Sequence, residues 1–108
     1  MILIIGGAYN GKAEFARSFG VPDTKILYNA HEKIRQLMKE HRNVKAEFKK
    51  AIEGIEIITC DEIGLGIVPI DKFERDWREM TGRLICDTAK KADTVYRVYY
   101  GISQKIKG

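Results

Sequence analysis

The sequence predicts an α/β domain: a mainly parallel sheet with helices on both faces and an antiparallel hairpin at its carboxyl end. Three observations predict it. Residues 2–5 (Ile-Leu-Ile-Ile) form an apolar run that stops at Gly6-Gly7 and leads into a helix-forming stretch, as a strand buried on both faces and its crossover helix would. Residues 55–60 (Ile-Glu-Ile-Ile-Thr-Cys) repeat the strand pattern after a helical segment. Residues 94–100, rich in β-branched and aromatic side chains, are separated by Gly101 from residues 102–107, which reads as a hairpin.

The elements follow in order. Within residues 12–19, Phe15, Ala16 and Phe19 share one helical face, and Gly20 provides the stop. Residues 25–30 are a candidate second strand. Residues 31–42 place Ile34, Leu37 and Met38 at helical spacing. Asn43 is placed to cap a further helix through residue 53, with Val44, Phe48, Ala51 and Ile52 inward. Residues 61–69 form a loop with Gly64, Gly66 and Pro69. Asp71 with Glu74 three residues on has capping-box character, and Phe73, Trp77, Met80, Leu84 and Thr88 make one stripe on the next helix. Gly82 interrupts that stripe. About three parallel strands and a closing hairpin result.

Composition bounds the function. The 108 residues suit one domain, and oligomerisation would be a natural way to complete a site on so short a chain. Net charge is +4, which favours anionic partners, but basic and acidic residues are interleaved and no nucleic-acid motif is present. A small phosphate ligand fits better than a polynucleotide. Cys60 and Cys86 are the only cysteines and have no metal-binding or disulfide-framework spacing, as expected for reduced thiols in the cytoplasm. The apolar run at the start is too short for a membrane span, so no membrane association is expected.

The most informative motif is Gly6-Gly7-Ala8-Tyr9-Asn10-Gly11-Lys12. It satisfies the G-x-x-x-x-G-K part of the phosphate-binding signature, in the required place between a strand and a helix. Glycines let successive N–H groups turn toward an anion, the helix start adds partial positive charge, and Lys12 supplies a compact cation. Ala13 stands where Ser or Thr usually completes the motif with a hydroxyl for Mg²⁺. The fold class is thereby that of P-loop nucleotide-binding proteins. The bland alternative is a tight turn that binds nothing and leaves Lys12 in water.

Further residues resemble one family. Asp61-Glu62-Ile63-Gly64-Leu65-Gly66-Ile67-Val68-Pro69 is similar to the N-E-V-G-x-G-I-V-P segment of the cobinamide kinase / cobinamide-phosphate guanylyltransferase family. The stretch from Arg78 to Arg83 resembles its R-D-x-x-G-R. Ala92-Asp93 precedes a strand as in that family, and Gly101-Ile102 with Lys105-Ile106-Lys107 resembles its terminal G-I-x-x-K-I-K. At the other end, the loop 6–12 resembles its G-G-A-R-S-G-K-S. The resemblance implies a P-loop fold assembled as a homotrimer, ATP or GTP as cofactor, and transfer of a phosphoryl or guanylyl group to the side chain of cobinamide or another corrinoid. It implies phosphate contacts from Gly6, Gly7, Ala8, Tyr9, Asn10, Gly11, Lys12 and Ala13, with Lys12 also catalytic.

The chain departs from that pattern in ways that bear on chemistry. The region after the first helix, which carries the family's guanylated histidine, is shortened. Ala13 and Tyr28 stand where two Mg²⁺ contacts are expected, and Leu84-Ile85 replace Asn-Gln. Phosphoryl transfer depends on positioning and on cations that stabilise developing charge, so Mg²⁺ would need Asp61 or Glu62. These two are adjacent and point to opposite sides of an extended chain. Glu62 is the expected acid facing the loop, with Asp61 a cap or surface charge.

His31 would lie at the carboxyl edge of the sheet, where ligands bind in open α/β folds. It is a candidate replacement for the missing histidine, or simply a helix-cap residue. His41 reads as solvated near a helix end. Trp77 and the aromatics of the last strands read as core, with Tyr96 and Tyr100 on one face and Tyr99 on the other. Three functions compete: a compact transferase, a nucleotide- or corrinoid-binding homologue without chemistry, and, on charge alone, a nucleic-acid-associated protein.

Overall fold

A computed structural model describes residues 1–40, 42–63 and 71–108. His41 and the glycines and proline of the loop, Gly64, Gly66 and Pro69, lie outside the described residues. One five-stranded sheet organises the chain, in the order β2-β3-β1-β4-β5. Its strands are β1 (Ile2–Gly6), β2 (Ile26–Leu27), β3 (Ile57–Asp61), β4 (Thr94–Tyr99) and β5 (Ile102–Lys107). The first four are parallel and β5 is antiparallel to β4, so there is one more parallel strand than periodicity predicts. The extra one is β4, which pairs with β1 as well as closing the hairpin.

The apolar run of β1 has its physical reason in this order. Central in the sheet, β1 has neighbours on both edges and packing on both faces, and Leu3 and Ile4, which point to opposite faces, are both fully buried. The connection from β1 to β2 passes over β3 in one direction, and that from β3 to β4 passes over β1 in the other. Crossovers of constant right-handedness running in opposite directions lie on opposite faces. Accordingly α1 (Lys12–Arg17) packs with Ile4, Ile57 and Val98 on one face. The helices α2 (Ala30–Lys39), α3 (Val44–Ala51) and α4 (Lys72–Lys91) pack with Leu3, Ile58 and Val95 on the other.

Local signals fix the helix ends. The Asn43 side chain accepts from the Ala46 N–H and that of Asp71 from the Phe73 N–H, each satisfying an orphan donor of a first turn. The Glu74 carboxylate, expected in a capping box, receives two hydrogen bonds from Arg35, at 2.7 and 2.9 Å, tying α4 to α2. Helix α4 runs unbroken through Gly82, and its fully inward residues are Trp77, Thr81, Leu84 and Thr88. The second strand is only two residues long, preceded by a 3-10 turn at Asp23–Lys25. Tyr100 does not share a strand face with Tyr96: it sits in the hairpin turn with φ 50° and is exposed. Among the described residues, no helix is long and apolar enough to cross a membrane.

Gly6 is required by close approach. A Cβ at this position would lie 2.3 Å from the Val98 carbonyl oxygen, so any side chain must pry β1 from β4. Gly6→Ala is expected to cost about 3 kcal/mol, the upper end for overpacking, and to lower Tm by more than about 10 °C in a domain of this size. Thermal unfolding followed by circular dichroism checks this, and a shift of only a degree or two would contradict the packing described.

Candidate functional site

Three carboxyl-edge segments converge on one cleft of about 560 Å³: the loop after β1, the start of α2 and the end of β3. The register places Gly6 beside Asp61. Between them the loop turns through Tyr9 at φ 61° and Gly11 at φ 92°, left-handed conformations that alternate the direction of the backbone amides. The loop is anchored at its far side, where the Gly101 N–H of the β4–β5 turn donates to the Asn10 carbonyl at 2.9 Å. Gly11 faces that turn so closely that a Cβ would meet the Gly101 Cα at 3.3 Å.

Lys12 is the centre of the cleft. It is buried, with 6% of its surface exposed, contrary to the reading in which it extends into water. Its ammonium donates to the Gly7 carbonyl at 2.6 Å and lies 2.8 Å from Asp61 Oδ1. An ammonium has three donors, so these two contacts leave one for a ligand.

The acid that faces the loop is Asp61, not Glu62. Alternation along β3 turns Cys60 toward α4 and Asp61 toward the α1 side, where the loop lies. The strand ends there, and the Glu62 N–H donates to the Gly6 carbonyl at 2.8 Å. The Glu62 carboxylate is then held by Arg97 at 2.6 and 3.0 Å and by the Tyr99 hydroxyl at 2.8 Å. Those hydrogen bonds, Arg97 foremost, hold its carboxyl below the usual range. Sequence reasoning offers both acids; only the sheet register and the hand of the crossovers separate them.

His31, the second residue of α2, is also buried. The Asp61 N–H donates to its Nδ1 at 3.0 Å, and Nε2 lies 3.3 Å from Asp61 Oδ2. With Nδ1 an acceptor, the neutral ring carries its proton on Nε2, toward that carboxylate. The Trp77 indole N–H donates to the His31 carbonyl at 2.8 Å and fixes the turn. Thr59, missed in the sequence, accepts from the Asn29 N–H at 2.9 Å. Asn29 itself is left-handed, with φ 57°. A polar residue in an otherwise apolar strand is the signal that marks Thr59.

Burial pushes the His31 pKa below its ordinary 6.5, with the Asp61 charge opposing. The unfolded chain therefore takes up a proton near pH 6.5 while the folded one does not. Stability contributed by His31 is present above that pH and is lost as pH falls toward the folded value. Denaturant melts should show stability declining from pH 7 to pH 5.5, and the His31 ring resonances should titrate below 6.5. A midpoint above 6.5 would contradict this geometry.

Mg²⁺ has a limited fit. Ala13 offers no oxygen, the Tyr28 hydroxyl donates to Asp23 at 2.9 Å, and Glu62 is engaged by Arg97. Among the described residues no group of three His, Cys, Asp or Glu side chains could hold a metal by itself. Asp61 supplies one carboxylate toward the cleft. Mg²⁺ bound with nucleotide commonly uses one or two carboxylates together with phosphate oxygens.

Comparison with known proteins defines the class of protein. A model of the family described as cobinamide kinase / cobinamide phosphate guanyltransferase matches residues 19–106. The chain belongs to that family. Its particular relatives include the bifunctional adenosylcobalamin biosynthesis proteins CobU of Salmonella typhimurium strain LT2 and Escherichia coli strain K12. These are 39% and 37% identical over 51 residues, or 47% of this chain. Each match spans only 28% of the relative's own length. The fold class expected from the sequence is the one observed.

Proposed function

We propose that the chain binds the phosphates of ATP or GTP in the cleft between the loop 6–12 and Asp61, and works there on a corrinoid substrate in cobalamin biosynthesis. The observation that carries this reading is the buried Lys12 ammonium, held at the floor of a polar cleft with a donor to spare. Loop residues Gly6, Gly7, Ala8, Tyr9, Asn10, Gly11 and Ala13 would surround the phosphates. Membership of the family supports the acceptor class, cobinamide, and phosphoryl or guanylyl transfer as the chemistry. Asp61 rather than Glu62 would hold Mg²⁺ beside the nucleotide.

His31 would be the candidate to receive a transferred group. Nδ1 accepts from the Asp61 N–H and Nε2 carries the ring proton toward Asp61 Oδ2, so the ring would have to release the Asp61 N–H and move its proton to Nδ1 before the Nε2 lone pair could attack the α-phosphorus of GTP and expel pyrophosphate. A second reading, binding without chemistry, is favoured by Ala13 and by the engagement of Glu62 with Arg97.

Incubation with cobinamide, labelled GTP and Mg²⁺ separates the two. The transferase reading expects labelled corrinoid. If nucleotide raises Tm but no label moves to corrinoid or to His31, the binding-only reading stands. A flat calorimetric titration with purine di- and triphosphates would dispose of both.

A further inference from the structure

Tyr9 and Tyr100 are costly residues where they stand, and packing among the described residues explains neither. Tyr9, at the apex of the loop 6–12, is fully exposed and lines the phosphate cleft. Tyr100, in the turn between β4 and β5, is almost wholly exposed. Tyr9 has φ 61° and Tyr100 has φ 50°. Left-handed backbone of this kind is ordinary for glycine and accessible to asparagine, but strained for a bulky side chain. At Tyr100 the mismatch is sharper. With Gly101 at φ 75° beside it, the turn is of the kind that asparagine-glycine fills. Backbone strain at two places, each leaving an aromatic ring in water, is the pattern expected where the rings serve a ligand.

The two places form one corner. The Gly101 N–H donates to the Asn10 carbonyl at 2.9 Å, and Asn10 and Gly101 are the chain neighbours of the two tyrosines. Their Cα atoms therefore lie no more than about 12 Å apart, a span that two tyrosine side chains can close around a flat ring. A nucleoside triphosphate has a direction in such a loop: the lysine takes the outer phosphates and the loop amides take those nearer the sugar. Here Lys12 sits at the floor of the cleft beside Asp61, so the base end points away from that floor, toward the outer corner of the loop. The other open flank, along α1, presents Glu14 and Arg17 and no flat apolar face.

We infer that Tyr9 is a stacking platform for the purine ring of the nucleotide, with Tyr100 flanking it. The inference rests on the nucleotide reading of the cleft and adds what holds the base. The platform is this chain's own, since the family's G-G-A-R-S-G-K-S loop has Arg at the corresponding place. Every purine offers a flat π-face, and stacking does not read the hydrogen-bonding edge. Tyr9 therefore takes adenine and guanine alike, and the choice between ATP and GTP falls to other groups.

Calorimetry on the full chain with GTP, ATP and inorganic tripolyphosphate tests this, because tripolyphosphate carries the phosphates without the base. Tyr9→Asn suits the left-handed backbone, so its Tm should equal or exceed the parent's. It should bind GTP and ATP about tenfold more weakly, the loss of one stacked base, and tripolyphosphate as the parent does. Tyr9→Trp should keep the parent's affinity for all three, and Tyr100→Asn should show the same selectivity with a smaller loss. Unchanged GTP affinity in Tyr9→Asn, or an equal loss for tripolyphosphate, overturns the inference and leaves the nucleotide reading standing. A parent that binds neither GTP nor tripolyphosphate overturns both. A smaller assembly in Tyr9→Asn at unchanged GTP affinity overturns the inference in favour of a contact between copies of the chain.

Discussion

Trp77→Ala is expected to remove about 3–5 kcal/mol of stability, the range for deleting a buried tryptophan. Trp77 belongs to the larger core cluster, with Leu3, Ile34, Ile58 and Leu84. The Arg35 guanidinium lies 3.9 Å from the centre of its ring, a stacked cation already oriented by its two bonds to Glu74. The indole N–H is satisfied by the His31 carbonyl. Alanine leaves a cavity between α2 and α4, strips Arg35 of its ring and abandons a carbonyl in the first turn of α2. Small domains are stable by only about 5–15 kcal/mol, so this one substitution brings the chain near its threshold. Trp77→Phe keeps most of the packing and should cost about 1 kcal/mol for the lost hydrogen bond. Urea melts of the three proteins check the series. A cost below about 1 kcal/mol for the alanine variant would mean that α2 and α4 do not meet around this ring.

Lys12→Ala should abolish the rise in Tm produced by ATP or GTP while the fold persists. For the parent, nucleotide at about 100 times its Kd stabilises by roughly 2.7 kcal/mol through mass action, an effect of many degrees in a domain of this size. Without the ammonium, phosphate oxygens would face the Asp61 carboxylate with nothing between them. Lys12→Arg should not rescue, because a planar guanidinium does not fit where the lysine is already 94% buried between Gly7 and Asp61. A second signature follows in the unliganded protein. Lys12 is among the charges that lower the His31 pKa, so its removal should move the His31 titration upward. If Lys12→Ala keeps the full nucleotide effect, the cleft is not the phosphate site.

Much of the fold is legible because its signals are local. Four β-branched and Leu residues before a glycine pair give a central strand, Asn43 and Asp71 cap the helices that follow them, and Gly101 divides the terminal hairpin. Lys12 is legible as a site residue for the same reason: the loop chemistry lies within seven consecutive positions. Where the reading failed, the deciding contact was distant in sequence. Asp61 and Glu62 are equivalent acids until β3 is laid beside β1 and Arg97 arrives from β4. Tyr100 looks like strand until the turn bends it to positive φ. Thr81 is invisible beside the expected stripe residue Met80, since a helical period cannot say which of two neighbours turns fully inward.

The amino-acid order alone determined the parallel α/β class, the glycine loop with its lysine, and the segments that form strands and helices by virtue of apolar period, cap and turn chemistry. Tertiary structure alone decided which carboxylate joins Lys12 and that His31 presents Nε2 to it. The reason is the period of two along a strand and the fixed hand of its crossovers. Together they assign each side chain to a face only once the sheet has been assembled.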